Sequence, residues 1–313
     1  MILCIDIGGT ATKMALMREG VILQRYETPT AFDDYETPVL DTVCGGTKAF
    51  LEQAGVSVEG ISVSATGQID TALGKVIGTC GNIRNYEGAE IKKTLENLFH
   101  VPCTVLNDAN AAALGECYAG AGQGRRCVLM ITLGTGIGGG IVSEGHVFGG
   151  AKGIAGEIGH FTLKAGGETC TCGRQGCFER YASTSALVRK ARELTGERDI
   201  NGRIIFERAG MGDLSMLALL DDWMNDIADG ASGLVHIFNP DLVLFGGGVS
   251  AQTELLLNPL REKIHRRLMR EFSSCLEIEA ATLGNDAGLY GAFKFFMDEK
   301  EKNRDSTQGK EPQ

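Results

Sequence analysis

The stretch ILCIDIGGTATKMALM, residues 2–17, predicts a strand, a Gly-Gly-Thr turn and a second strand. The stretch VLMITLGTGIGGGIVSEG, residues 128–145, repeats this plan. A duplicated unit is the simplest explanation, and each half would be a mixed sheet flanked by helices. The sequence therefore predicts an α/β fold built from two related domains.

Both predicted turns are rich in glycine, which lets backbone N–H groups approach phosphate oxygens without an intervening Cβ atom. Tight hairpins also favour glycine, so either turn alone is ambiguous. The presence of two such turns favours binding of one polyphosphate. The residues concerned are Gly8, Gly9 and Thr10 in the first turn, and Gly134, Thr135 and Gly136 in the second.

The second turn also fits the pattern GxGxxG of nicotinamide-binding proteins. That motif requires a helix directly after the glycines, whereas IVSEGHVF, residues 141–148, predicts strand and turn. The sequence contains no GxxxxGK[ST] motif either. A third glycine turn, Gly246 to Gly248, precedes a predicted helix and suits an adenosine or a phosphate. A nucleotide would thus be held by neither of the two common devices.

Two aspartates lie at the ends of apolar strands. Asp6 precedes the first turn, where a buried charge is costly unless it meets a cation such as magnesium, through water. A hydrogen-bonded turn aspartate is the alternative. Asp108 follows a predicted buried strand and precedes an alanine-rich helix, so it could cap that helix or take a proton from a hydroxyl group. Asn107 could hold the same or a neighbouring hydroxyl.

The segment HFTLKAGGETCTCGRQGC, residues 160–177, places one imidazole close to three thiols. This set predicts a tetrahedral Cys3His zinc site, with chance clustering in a glycine-rich turn as the alternative. The adjacent GEIGH and GCFERYAS add acidic groups that a purely structural zinc site does not need. Zinc is therefore expected to shape a binding site. The four ligands would be His160, Cys170, Cys172 and Cys177.

Composition limits the class of protein. The 313 residues are 43% hydrophobic and carry a formal net charge of -10, which argues against nucleic-acid binding and suits a small anionic ligand held locally. The sequence has no apolar run long enough for a membrane span and no recognisable secretory signal, so we expect a cytoplasmic protein without disulfides. The polar residues 300–313 are expected to form a disordered tail.

An ordered set of motifs carries a resemblance to a known family. The motifs are DIGGT (6–10), LNDANAAALGE (106–116), TLGTGIGGG (132–140), GEIGH (156–160), CTCGRQGCFE (170–179) and LFGGGVS (244–250). Together they resemble the ROK family of bacterial sugar kinases and sugar-responsive repressors, over about residues 2–297. The resemblance implies an actin-like, ribonuclease H-like, duplicated two-domain sugar kinase fold with ATP in the cleft between the domains. The expected parts are a small α/β domain of residues 1–117 completed by a helix at 287–299, and a large α/β domain of residues 118–286 with the zinc motif.

The resemblance also implies an activity, the ATP-dependent and magnesium-dependent phosphorylation of a hexose at its 6-hydroxyl, with Asp108 as the general base. Zinc would be structural and would orient the histidine that faces the sugar. By similarity, the sugar is bound by Gly67, Asn82, Asn107, Asp108, Glu157, His160 and Glu179. The nucleotide and its magnesium are expected at Asp6, Gly8, Gly9, Thr10, Lys13, Gly134, Thr135, Gly136, Gly246, Gly247 and Gly248.

The family members differ in substrate. The zinc motif and the NDANAAALGE segment most resemble those of glucokinases, so glucose is the first choice. Kinases for N-acetylmannosamine, N-acetylglucosamine, fructose, allose or β-glucosides share nearly all these residues, and Tyr86 stands near the place of a tryptophan common in glucokinases. A sugar sensor without catalysis is a weaker alternative because Asp6 and Asp108 are present. A repressor is not expected, since the DIGGT strand starts at residue 2; a homodimer is expected from the resemblance.

Overall fold

The computed structural model describes residues 1–31, 33–78 and 83–308. The chain divides into two compact units. Unit 1 comprises Met1–Gln123, His146–Ala155 and the segment from Asn285 onward, and unit 2 comprises Gly124–Gly145 and Gly156–Gly284. The N–H groups of Gly120 and Gly122 donate to the carbonyl of Glu116, which holds the turn at residues 120–122 within unit 1.

Unit 1 is built on a mixed five-stranded sheet in the order β3-β2-β1-β4-β7. The strands β1 to β3 are antiparallel, whereas β1, β4 and β7 run parallel. Most side chains of β1, β4 and β7 are buried, as expected for parallel strands in a sheet with both faces covered. The elements are β1 (Ile2–Ile7), β2 (Ala11–Arg18), β3 (Val21–Pro29), α1 (Val39–Ala54), β4 (Gly60–Ala65), β5 (Gln68–Asp70), β6 (Lys75–Gly78), α2 (Ile91–Phe99), β7 (Cys103–Asn107) and α3 (Asp108–Ala119).

Unit 2 contains the second predicted hairpin, which has the same order of strand, turn and strand as the first. It contributes four strands to the second sheet in the order β9-β8-β11-β12, with only β8 and β9 antiparallel. The elements from here on are β8 (Cys127–Leu133), β9 (Ile137–Ser143), β10 (His146–Val147, in the segment that joins unit 1), α4 (Glu179–Ala182), α5 (Thr184–Thr195), α6 (Gly202–Gly210), α7 (Leu214–Phe238), β11 (Leu242–Gly246), α8 (Asn258–His265), α9 (Arg270–Cys275) and β12 (Glu277–Ala280). The core of unit 2 lies around Trp223, which is fully buried.

The helix α10 (Ala287–Gln308) packs against β1 and β2 of unit 1. Phe293 and Phe296 pack with Ile2 and Cys4, and the ring of Phe296 occupies the space that a Cβ atom at Gly60 would need. Residues 300–308 are helical, in contrast to the disorder expected for them. Their lysines and glutamates are good helix formers, and they extend a helix that packing has already nucleated. Within the described ranges, no helix has both the length and the apolar character that a membrane crossing requires.

Candidate functional site

The carboxylate of Asp6 lies at the end of β1, between two polar neighbours. Oγ of Ser64 donates to Oδ1 of Asp6 at 2.6 Å, and Lys13 stands opposite Asp6 in the register of β1 and β2. Burial raises the pKa of Asp6, while the Ser64 hydrogen bond and the charge of Lys13 oppose that rise. A Cβ atom at Gly288 would lie 2.7 Å from Oδ1 of Asp6, so glycine there makes room for the carboxylate.

The first glycine turn lies between β1 and β2 and is held by hydroxyl groups. Oγ1 of Thr30 donates to the carbonyl of Gly8 at 2.7 Å, and the hydroxyl of Tyr35 donates to that of Gly9 at 2.6 Å. Gly9 and Thr10 are exposed, and no atom lies within 4 Å of a Cβ position at Gly9. An approaching anion would therefore meet open backbone at this turn.

Asp108 begins α3, directly after β7. The helix cap is Asn107, whose Oδ1 accepts from the N–H of Asn110 at 3.1 Å, so the capping role considered for Asp108 belongs to its neighbour. Nδ2 of Asn107 donates to the carbonyl of Gly67 and to Oδ1 of Asp108, each at 2.9 Å. The N–H of Ala109 donates to the same Oδ1 at 2.8 Å. Asn107 thus fixes the Asp108 carboxylate and brings Gly67 next to it.

Two residues near the predicted sugar-binding set need separate comment. Asn82 lies outside the described residues. Tyr86 is 1% exposed, and its hydroxyl has no hydrogen-bond partner in the part of the chain that the structure describes. Burial, and secondly the negative charge of Asp108, raise the pKa of the Tyr86 hydroxyl. Tyr86, which stands near the position of the tryptophan common in glucokinases, is therefore a core residue, and it lies close enough to Asp108 for the negative charge to affect its pKa.

The four predicted metal ligands come together in unit 2. Their ligand atoms all lie within 4.8 Å of one another; Sγ of Cys170 is 3.7 Å from Nδ1 of His160, and the sulfurs of Cys172 and Cys177 are 3.6 Å apart. Around a tetrahedral zinc with Zn–S bonds of about 2.3 Å and Zn–N bonds of about 2.0 Å, sulfur and nitrogen lie about 3.6 Å apart and two sulfurs about 3.8 Å apart. The cluster therefore fits zinc in both ligand type and spacing.

Two acidic residues accompany the cluster. Oε1 of Glu179 lies 3.1 Å from Sγ of Cys170 and 3.8 Å from Nδ1 of His160. Desolvation raises the pKa of Glu157, a positive charge on His160 would lower it, and the charge of Glu179 raises it further. The predicted sugar-binding residues of unit 2 thus share one electrostatic environment. Glu157 precedes the short 3-10 helix Ile158–His160 that carries the histidine.

The second glycine turn joins β8 to β9 in the same unit. The N–H of Gly134 donates to the carbonyl of Gly136 at 3.1 Å, and Thr135 is exposed. Gly247 has φ of 95°, a conformation that favours glycine, and a Cβ atom there would lie 2.2 Å from the carbonyl of Leu133. The turn Gly246 to Gly248 therefore lies against the end of β8, next to Gly134. As the sequence analysis expected, strand β9 and not a helix follows Gly136.

Sequence reasoning missed two residues that support Asp6. Ser64 lies fully buried in β4, directly beside Asp6 in the parallel register. Its signal was one of the two serines, Ser62 and Ser64, in the otherwise apolar stretch GISVSA, residues 60–65. Gly288 had no readable signal, because its contact with Asp6 joins residues 282 positions apart.

Comparison with known proteins identifies the family. A model of the ROK family matches residues 2–299. The chain belongs to the ROK family. The glucokinase of Thermotoga maritima is 33% identical over 303 residues, covering 92% of this chain and 94% of that protein. The β-glucoside kinase of Listeria monocytogenes is 32% identical over 303 residues, covering 95% and 98%.

A solved ROK structure is similar in fold along nearly the whole chain. It is a glucokinase from Streptomyces griseus in complex with glucose and AMPPNP, 35% identical, with a TM-score of 0.79 and coverage of 93% of this chain and 97% of that one. The expected actin-like, duplicated α/β fold of the ROK sugar kinases is confirmed by this similarity.

Proposed function

We propose that this ROK protein is a glucokinase, which transfers the γ-phosphoryl group of ATP to the 6-hydroxyl of glucose. Two observations support glucose: the glucokinase relatives that match over nearly the whole chain, and the similarity to a glucokinase that binds glucose and AMPPNP. The geometric observation that carries the proposal is the Asp108 carboxylate, held by Asn107 and by the N–H of Ala109 at the start of α3.

In unit 1, Asp108 would accept the proton of the attacking hydroxyl. A general base must be fixed within hydrogen-bond distance of the proton that it takes. Two donors to Oδ1 fix this carboxylate, and the N-terminus of α3 stabilises its negative charge. The described contacts commit both ends of the Asn107 amide to protein groups, so we assign Asn107 to positioning Asp108 more than to binding a hydroxyl.

Unit 2 would bind the other hydroxyls of the sugar. Glu157 and Glu179 would accept hydrogen bonds from these hydroxyls, and Nδ1 of His160 faces Sγ of Cys170. A zinc ion held by His160, Cys170, Cys172 and Cys177 would fix the orientation of the imidazole ring. The ring then has one defined edge for a sugar hydroxyl, which is how ligand orientation by a metal becomes substrate selectivity.

The nucleotide would be bound by backbone and by one carboxylate. We assign the phosphates to the turns at Gly8 to Thr10 and Gly134 to Gly136, whose tips are exposed, and the adenosine to Gly246 to Gly248. Asp6, assisted by Lys13, would hold magnesium through water; the ion supplies positive charge to the transferring phosphoryl group. By its family resemblance we also propose a cytoplasmic homodimer.

A second candidate substrate is a β-glucoside, because a β-glucoside kinase is 32% identical to this chain. The test is a phosphorylation assay with ATP and magnesium across free hexoses, N-acetylhexosamines and β-glucosides, with ADP release as the readout. Glucose should give the highest kcat/KM. Preference for another sugar would support a sugar kinase but would contradict glucose as its substrate. A failure to turn over any sugar, with a sugar still raising the melting temperature, would indicate a sensor.

The Asp108→Asn variant is the control for chemistry in that assay. We expect kcat to fall by about 10²- to 10⁴-fold, since general bases contribute that much, while calorimetry shows sugar affinity little changed. Near-normal turnover by this variant would remove Asp108 from the role of base.

A further inference from the structure

Gly136 lies where the second glycine turn meets Glu179. A Cβ atom at Gly136 would lie 2.7 Å from Oε2 of Glu179, whereas no atom lies within 4 Å of the Cβ position of Gly134. Neither glycine has a positive φ, so the backbone accepts alanine at both positions. The two glycines of one turn therefore differ in what a side chain would displace.

The other oxygen of Glu179 faces the metal-ligand cluster. Oε1 lies 3.1 Å from Sγ of Cys170 and 3.8 Å from Nδ1 of His160. The carboxylate thus fills the space between the cluster on one side and the bare backbone of Gly136 on the other. It is 16% exposed, which leaves it little room to move aside and remain in place.

Protein contacts hold both sides of this space. The carbonyl of Gly134 accepts from the N–H of Thr184 at 3.0 Å, which ties the turn to the start of α5. Phe178, directly before Glu179, is fully buried; its N–H donates to the carbonyl of Phe161 at 3.0 Å, and its ring fills the space beside Gly230. The Glu179 side chain is the adjustable part between two fixed backbones.

We propose that Gly136 is a positioning residue for Glu179: the missing side chain at 136 sets where the carboxylate stands beside the cluster. This turn would then serve sugar recognition through Glu179 as well as phosphate binding. The inference rests on the proposed function, in which Glu179 binds a sugar hydroxyl. Because the atom that a methyl group displaces is the end of a flexible side chain, Gly136→Ala should fold and yet misplace the carboxylate.

The test compares Gly136→Ala with Gly134→Ala. The measurements are the Kd for glucose by calorimetry without ATP, the KM values for glucose and ATP, zinc content and melting temperature. Gly136→Ala should raise the glucose Kd and KM by roughly tenfold or more, as expected for a lost hydrogen bond to a charged group, at unchanged zinc content. Gly134→Ala should keep the glucose Kd within about twofold of the wild type and raise the KM for ATP instead.

A double variant, Gly136→Ala with Glu179→Asp, tests the coupling directly. The shorter carboxylate withdraws from position 136, so the alanine should cost little when it is added to the Glu179→Asp variant, and the two effects should not multiply. Equal glucose affinities for the two alanine variants, or multiplicative effects in the double variant, would overturn the inference while leaving wild-type kinase activity intact. A wild type that neither binds nor phosphorylates any sugar would overturn the proposed function, and this inference with it.

Discussion

The hairpins β1–β2 and β8–β9 share one backbone plan and differ at a decisive position. Asp6 stands two residues before the first turn glycine in unit 1, and Thr132 stands at the same place in unit 2. Oγ1 of Thr132 accepts from the N–H of Gly138 in its own hairpin at 3.1 Å. Asp6 instead takes its hydrogen bond from Ser64 on a neighbouring strand. One hairpin satisfies its polar side chain internally, and the other carries a charge that requires outside support.

This difference shows how a duplicated scaffold becomes specialised. A partly buried carboxylate lowers the stability of the fold. Unit 1 nevertheless carries Asp6, whose pKa burial raises above its ordinary value. Unit 2 carries its charged chemistry elsewhere, beside the cysteine cluster. Four substitutions test whether activity depends on the charge of Asp6 in the first hairpin and on the cysteine cluster in unit 2.

Of these four substitutions, Asp6→Asn is expected to have the largest effect. Turnover should fall by roughly 10²- to 10³-fold, because magnesium would lose its carboxylate. Stability should change in the opposite direction. Folding raises the pKa of Asp6 above the value of about 4 that an aspartate has in the unfolded chain. The free energy of unfolding contributed by this group therefore falls as the pH rises from the unfolded pKa through the folded pKa. The melting temperature of the variant should exceed that of the wild type at neutral pH, and the difference should disappear in acid. A higher melting temperature in acid alone would contradict this account.

Cys172→Ser should affect unit 2 through its cluster. We expect bound zinc to fall from about one ion per chain to near zero, and glucose affinity to fall by about 10- to 100-fold as His160 loses its orientation. Metal analysis and calorimetry measure the two quantities. Cys275→Ser, which changes an exposed cysteine outside the cluster, is the matched control. Zinc loss at unchanged glucose affinity would make the cluster purely structural.

Ser64→Ala should have a smaller effect, visible in the pH profile. Removing the donor to Oδ1 removes a cause that lowers the pKa of Asp6, so the acid limb of kcat/KM should move to higher pH. Ser62→Ala is the control: Ser62 is equally buried in β4 but donates to the carbonyl of Ala292. If both variants shift the limb equally, the effect comes from packing and not from Asp6.

The smallest effect on activity is expected from Thr132→Val. The Gly138 N–H would lose its acceptor, which should cost about 1–2 kcal/mol of unfolding free energy in denaturant titration. Turnover should stay within a few-fold of the wild type, because this position carries no charge. Thr132→Ser keeps the hydroxyl and should recover most of the stability. A loss of turnover as large as that of Asp6→Asn would mean that the hairpins are functionally equivalent.

The sequence predicted the elements that are coded locally. The two hairpins, the strand and helix flanking Asp108 and the cysteine cluster follow from periodicity, glycine turns and spacing over fewer than 20 residues. The choice between Asn107 and Asp108 as helix cap could not be predicted, because both residue types cap well. The contact of Gly288 with Asp6 depends on tertiary packing. The helical residues 300–308 share their charged composition with disordered tails, so composition alone could not separate the two.

The position of α10 in the chain has a consequence for synthesis. The face of β1 and β2 that carries Ile2 and Cys4 is covered by a helix that begins at residue 287. At ribosomal rates of about 5–20 residues per second, that apolar face emerges roughly tens of seconds before its cover. Unit 2, which ends at Gly284, is complete in sequence before that helix has been made. Strands β1 and β2 therefore leave the ribosome before unit 2, but they belong to a unit whose sequence is complete only after the helix from residue 287 has been made. Nascent chains stalled before residue 287 are the species that chaperones should bind.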